Sequence, residues 1–161
     1  MLEIIIYPAK ILRKVAKPVT NFDNNLADLA KDMAETMFAA SGVGLAAVQV
    51  NQDLSVFVKR EKETNYRVYV NPKITYYSAD REMSEEGCLS IPEVYGVLPR
   101  SKKIHLKYQD LQGKTHKETI KGFDAIVCQH EVDHLNGILF IDHAQVIKGQ
   151  EILAKMKEKS T

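Results

Sequence analysis

The sequence predicts an α+β fold in which mainly antiparallel sheets pack around a central helix, with one helix near the N-terminus and one at the C-terminus. Three stretches read as helices: Asn24 to Ala40, Gly122 to about Leu135, and about Gln145 to Lys157. From Leu54 to Leu111 the pattern changes to short β-branched and aromatic runs. These runs are grouped between helices rather than alternating with them, so an antiparallel sheet is expected and not a parallel βαβ one.

The chain begins extended, punctuated by Pro8 and Pro18. In the first helix Leu26, Leu29, Ala30, Met33 and Met37 recur at helical spacing, Asp23 or Asn24 is placed to cap, and Ser41-Gly42 ends the run. Strands follow at Val56-Phe57-Val58, Val68-Tyr69-Val70, Ile74 to Tyr77 and Ile104 to Tyr108. Asp110-Leu111-Gln112-Gly113 reads as a hairpin turn into Lys114–Lys121. Gly122 then opens the second helix, and Asn136-Gly137 close it.

A chain of 161 residues suits one domain, expected to span residues 1–161. Charged residues at 27% and hydrophobic ones at 45% are an ordinary globular balance. With 22 basic and 21 acidic residues the formal net charge is +1, and no basic face emerges for a phosphate backbone, so DNA is not an expected partner. Cys88 and Cys128 are the only cysteines, too few for a disulfide-stapled secreted domain. The three isoleucines after Glu3 are shorter than a signal-peptide core, and no apolar stretch is long enough to cross a bilayer. A cytoplasmic protein without a membrane partner is therefore expected.

The strongest chemical signal is His130-Glu131-Val132-Asp133-His134 inside the second helix. At about 100° per residue, histidines four apart differ by roughly 40°, so both imidazoles leave one face and can share a metal ion. Glu131 lies beside that pair, close enough to handle a proton on water held there. Asp133 falls on the other flank, a rival base or a group that orients a ligand. The same wheel sends Cys128, Val132, Leu135 and Leu139 to the core, and turns Ile126, Val127 and Phe123 toward the metal side as walls of an apolar pocket.

Two histidines do not complete a site, because a catalytic ion usually takes three protein ligands. Glu86-Gly87-Cys88-Leu89-Ser90 offers the third: a thiol beside a divalent cation binds as thiolate, and the preceding glycine permits close backbone approach. Gly42-Val43-Gly44-Leu45-Ala46-Ala47-Val48-Gln49 has the look of a dinucleotide fingerprint, but it follows a helix and opens no βαβ unit. It reads instead as a helix end leading to a backbone edge on which an extended peptide can pair. Gln49 could then donate a hydrogen bond to developing oxyanion charge.

Together Gly42–Gln49, Glu86–Ser90 and His130–His134 resemble, in order, the motifs of the peptide deformylase family. Tyr7-Pro8, Leu12-Arg13, Ala16 to Val19, Asn71-Pro72, Pro99-Arg100 and Leu135-Asn136-Gly137 extend the likeness, and the helical C-terminus resembles the type 1 branch. The resemblance implies that Cys88, His130 and His134 bind one divalent metal ion per chain, natively Fe(II), replaceable by Zn, Ni or Co. It implies that Glu131 is the general acid and base, with the Gln49 side chain and the Leu89 backbone N–H stabilising the tetrahedral intermediate. Val43, Phe123, Ile126 and Val127 match the methionine pocket and Gly44 a backbone contact; Glu86 and Gly87 join them as expected substrate-binding positions. The chain departs from the family pattern at Ser84, where relatives can carry an apolar residue, and at Glu93-Val94-Tyr95-Gly96, which lacks an arginine some members have.

The implied reaction is removal of the formyl group from N-formylmethionyl polypeptides, with release of formate, in a bacterial-type cytoplasm. Two rivals remain at this level. One is a zinc peptidase drawing its third ligand from Asp142, His143 or Glu151, and the other a metal-stabilised binding module. His105 and His116 are expected on the surface without a role. The terminal lysines Lys148, Lys155, Lys157 and Lys159 form either a solvated face or, by the resemblance, a contact to the ribosome.

Overall fold

The computed structural model describes residues 1–159. Helix α1 (Asn24–Ala39) is capped by Asp23, whose carboxylate accepts from the Leu26 N–H at 3.2 Å. Strands β1 (Gly44–Ala46), β2 (Val56–Arg60), β3 (Tyr66–Tyr77), β6 (Lys103–Gln109) and β7 (Thr115–Lys121) form a five-stranded sheet in the order β1-β2-β3-β6-β7. Strands β4 (Arg81–Cys88), β5 (Ile91–Ser101) and β8 (Gln145–Lys148) form a second sheet in the order β4-β5-β8. All of these pairings are antiparallel, in keeping with the expected class.

Helix α2 (Gly122–Leu135) keeps the bounds read from the sequence. It buries residues on more than one side, including Ala125, Cys128, Gln129, Glu131, Val132 and His134. One side packs Ala125, Cys128, Val132 and Leu135 on Phe57, Tyr69, Ile104, Leu106 and Tyr108 of the large sheet. The other side of that sheet takes α1, with Leu26, Ala30, Met33 and Met37 against Leu45, Val56, Val58 and Val70. A third apolar cluster joins Ile91, Val94 and Leu98 of β5 to Leu12, Leu139, Phe140 and Leu153, the last from helix α3 (Gln150–Glu158). Gly137 ends α2 at φ +73°, where an added Cβ would come within 2.5 Å of the Arg13 carbonyl oxygen.

The structure corrects the element reading in four places. The two runs around Asn71-Pro72 are one strand, β3, interrupted by a bulge that the Asn71 side chain holds through Val19 and Gln109. The β4–β5 hairpin was not expected as strands, because the buried positions of β4 include Ser84 and Glu86, and Pro92 and Pro99 punctuate β5. The terminal helix begins at Gln150, since Gln145–Lys148 pairs with β5 as an edge strand. Leu139 lies beyond α2 and packs in the third cluster rather than on the helix's back face.

Candidate metal centre

Helical periodicity sets His130 and His134 one turn apart on α2, with ring centroids 4.9 Å from each other. Cys88 ends β4, just before the Leu89-Ser90 turn into β5, and its Sγ lies 3.3 Å from His134 Nε2. The ligand atoms of Cys88, His130 and His134 all fall within 4.8 Å of one another. An ion bonded to all three at zinc-like distances would hold them about 3.5 Å apart, so small side-chain adjustments suffice. One thiolate and two imidazoles form a donor set for a divalent transition metal, leaving a further position open. Of the downstream ligands of the rival peptidase reading, none joins such a group among the described residues, and Asp142 is held by Arg13 at 2.7 and 2.9 Å.

His130 is held from behind. Its Nδ1 lies 2.9 Å from Glu86 Oε1, and the Glu86 carboxylate also receives Nε and Nη2 of Arg100, each at 2.8 Å. Burial alone would raise the Glu86 carboxyl, yet the hydrogen bonds from Arg100 and His130 pull it down to about 2. The Glu86 side chain, expected at a substrate-binding position, lines the cleft and spends its carboxylate on Arg100 and the imidazole. Asp133, read as a rival base or an orienting group, accepts from Arg100 Nη1 at 2.7 Å.

Glu131 is 3% exposed, and its Oε1 has no hydrogen-bond partner among the described residues. Burial lifts its carboxyl from the usual range to about 7. It lies against Gly44, where a Cβ would come within 2.6 Å of Glu131 Oε2. Gln49 is pinned at both ends: Oε1 accepts from the Ala46 N–H at 3.0 Å, and Nε2 donates to Ser90 Oγ at 3.1 Å. That same nitrogen lies 3.5 Å from Cys88 Sγ, so the amide faces the cluster.

All the sequence-predicted site residues except His134 line one cleft of about 480 Å³: Val43, Gly44, Gln49, Glu86, Gly87, Cys88, Leu89, Phe123, Ile126, Val127, His130 and Glu131. His134 lies deeper, fully buried. Val43 and Phe123 are exposed at the mouth, whereas Val127 is buried. Cys128 is a packed thiol that burial pushes up to about 12. His116 is half-buried and bonded to Asp110 at 2.8 Å, rather than free on the surface. The sequence reading gave Ser90, Tyr95 and Arg100 no role of their own. Tyr95 borders the cleft, with its ring against Gly87. An isolated serine or arginine carries no periodicity, so only its spatial partners reveal it.

A model of the polypeptide deformylase family matches residues 1–150. Peptide deformylase of Bartonella quintana (strain Toulouse) is 44% identical over 161 residues, covering 98% of this chain and 92% of that protein. The crystal structure of peptide deformylase from Thermotoga maritima is 43% identical, with a TM-score of 0.87 over 90% of this chain and 98% of that one. A Met-Ala-Ser-bound class I type b peptide deformylase from Acinetobacter baumannii is 38% identical, with a TM-score of 0.84 over 88% of this chain and 97% of that one. Likeness of this extent in both sequence and backbone makes the chain a member of the peptide deformylase family, metal-dependent hydrolases that remove the formyl group from the N-terminus of nascent polypeptides.

Proposed function

We propose that Cys88, His130 and His134 hold the divalent ion, natively Fe(II) with Zn, Ni or Co as substitutes, and that Glu131 moves the protons. When bound, such an ion acts as a Lewis acid that lowers the pKa of water toward 7. Glu131 takes a proton from the attacking water, the resulting hydroxide adds to the formyl carbon, and the carbon–nitrogen bond breaks. Glu131 then returns its proton to the departing nitrogen, so formate and a free amine leave. The Gln49 Nε2–H and the Leu89 N–H stabilise the oxyanion; one such donor contributes about 3 kcal/mol. The observation that carries this reading is that Glu131, its buried Oε1 without a hydrogen-bond partner among the described residues, lines the same cleft as Cys88 and His130.

Substrate placement follows from the strands that border the cleft. Strand β1 ends the large sheet and β4 the small one, so each offers an unpaired backbone edge to an extended peptide through Gly44 and Gly87. Val43, Phe123, Ile126 and Val127 receive the methionine side chain. The Acinetobacter baumannii relative bound to Met-Ala-Ser supports this reading, because deformylation of a formylmethionyl peptide leaves a free N-terminal methionine. We further propose a single catalytic domain over residues 1–161, a cytoplasmic location, and ribosome contact through α3 and its lysines. No helix among the described residues is long and apolar enough to cross a membrane.

Formyl-Met-Ala-Ser should release formate, while unformylated Met-Ala-Ser should stay intact; cleavage of the latter would favour a peptidase. Glu131→Ala should keep one metal per chain and lose about 10²–10⁴-fold in turnover. Cys88→Ala should lose the metal instead. Full turnover by metal-loaded Glu131→Ala would overturn the assignment.

A further inference from the structure

The orientation of the metal-facing imidazoles is unequally supported. His134 Nδ1 is buried with no hydrogen-bond partner among the described residues, whereas His130 Nδ1 meets Glu86 Oε1 at 2.9 Å. Donation from that nitrogen fixes the tautomer and leaves Nε2 as the lone-pair donor. The burden of aiming the histidine pair therefore falls on Glu86, and the placement of Glu86 falls on Arg100.

We infer that Arg100 is a positioning residue for the metal centre, acting through Glu86 on His130 and anchored to α2 by Asp133. All three guanidinium nitrogens are used: Nε and Nη2 grip the two Glu86 oxygens at 2.8 Å each, and Nη1 reaches Asp133 Oδ2 at 2.7 Å. Arg100 belongs to β5, Glu86 to β4, and Asp133 and His130 to α2. The guanidinium thus ties the hairpin that carries Cys88 to the helix that carries both histidines. It sets the rotation of one imidazole and the separation of thiol from imidazoles together. With side-chain exposures of 8% for Arg100 and 7% for Glu86, water cannot readily replace the fork if it is removed. Lysine offers one compact charge and cannot grip both oxygens while also reaching Asp133.

This inference rests on the metal-centre reading, and the test separates the two. Full-length apo-protein is titrated with Zn(II) against a chelator and with Co(II) by visible absorption, for the parent, Arg100→Gln, Arg100→Lys and Asp133→Asn. Arg100→Gln and Arg100→Lys should bind Zn(II) about 10–100-fold more weakly than the parent, with altered Co(II) bands. Their KM for formyl-Met-Ala-Ser at saturating metal should stay within about twofold while kcat falls. A merely structural arginine would lower the melting temperature of the apo-protein but leave the metal affinity of the folded chain unchanged; that result overturns the inference. If Arg100→Gln does not fold, Asp133→Asn decides. It keeps the grip on Glu86 and loosens only the anchor, so a loss of about threefold or more supports the role and an unchanged affinity overturns it. A parent chain that binds no metal would overturn the reading of the centre and this inference with it.

Discussion

A carboxylate buried as deeply as that of Glu131 needs room made for it, and Gly44 makes that room. A Cβ at position 44 would approach Glu131 Oε2 to 2.6 Å and Cγ and Cδ to 2.9 Å. The carboxylate must shift to make room, and a shift takes it from its place in the cleft beside Cys88 and His130. Gly44→Ala is therefore expected to retain metal and to lose at least about 10²-fold in formate release, approaching the effect of removing the acid–base group itself. Measuring metal per chain beside kcat checks this; near-parental turnover would show that the carboxylate tolerates displacement. Gln49 illustrates the other side of residue-scale legibility. Its spacing after the glycine segment singled it out, but the Ser90 and Ala46 bonds that aim its amide join residues whose partnership no local pattern records.

Among elements, α2 was readable and the β4–β5 hairpin was not. The helix carries its own stop and start in Gly122 and Gly137, both at positive φ, and its histidines repeat at the helical period. The hairpin points Ser84 and Glu86 inward, where a strand pattern would look for apolar residues. Just after α2, the turn at Phe140–Asp142 is tied to the N-terminal segment by the two-pronged Arg13–Asp142 pair. Burial would raise the Asp142 carboxyl, but hydrogen bonds from Arg13 and the Leu139 N–H bring it below its ordinary 3.8. A carboxyl depressed by folding stabilises the protein above pH 3.8, and that contribution is lost as pH falls through the lower folded value. Both partners are partly exposed, so the pair contributes about 1 kcal/mol or less. Asp142→Asn should accordingly lower the melting temperature at pH 6 and leave a smaller gap to the parent at a pH below 3.8, as read by circular dichroism. An equal gap at both pH values would remove the ion pair as its cause.

For the whole molecule, the cluster is where the two sheets meet. Cys88 reaches it from the small sheet and His134, 46 residues later, from the helix packed on the large one. An ion bound there cross-links the two halves of the fold and should stabilise the folded chain by about 4 kcal/mol when present at 1,000 times its Kd. Stripping the metal with a chelator should then lower the melting temperature by roughly 8–16 °C for a chain of this length. Cys88→Ala should show no such chelator response, and a parent chain insensitive to chelation would argue that the ion adds nothing to the tertiary fold. The amino-acid sequence by itself determined the fold class, the bounds of the central helix and the shared face of His130 and His134, because helical period and turn residues act over a few positions. The meeting of thiol with imidazoles, the grip of Arg100 on Glu86 and the pairing of β5 with β8 were decided only in three dimensions. Each joins residues that are not neighbours in the chain: the inward Ser84, Glu86 and Arg100 are polar and leave no hydrophobic rhythm to read, and the apolar pattern of β5 does not record which strand it pairs with.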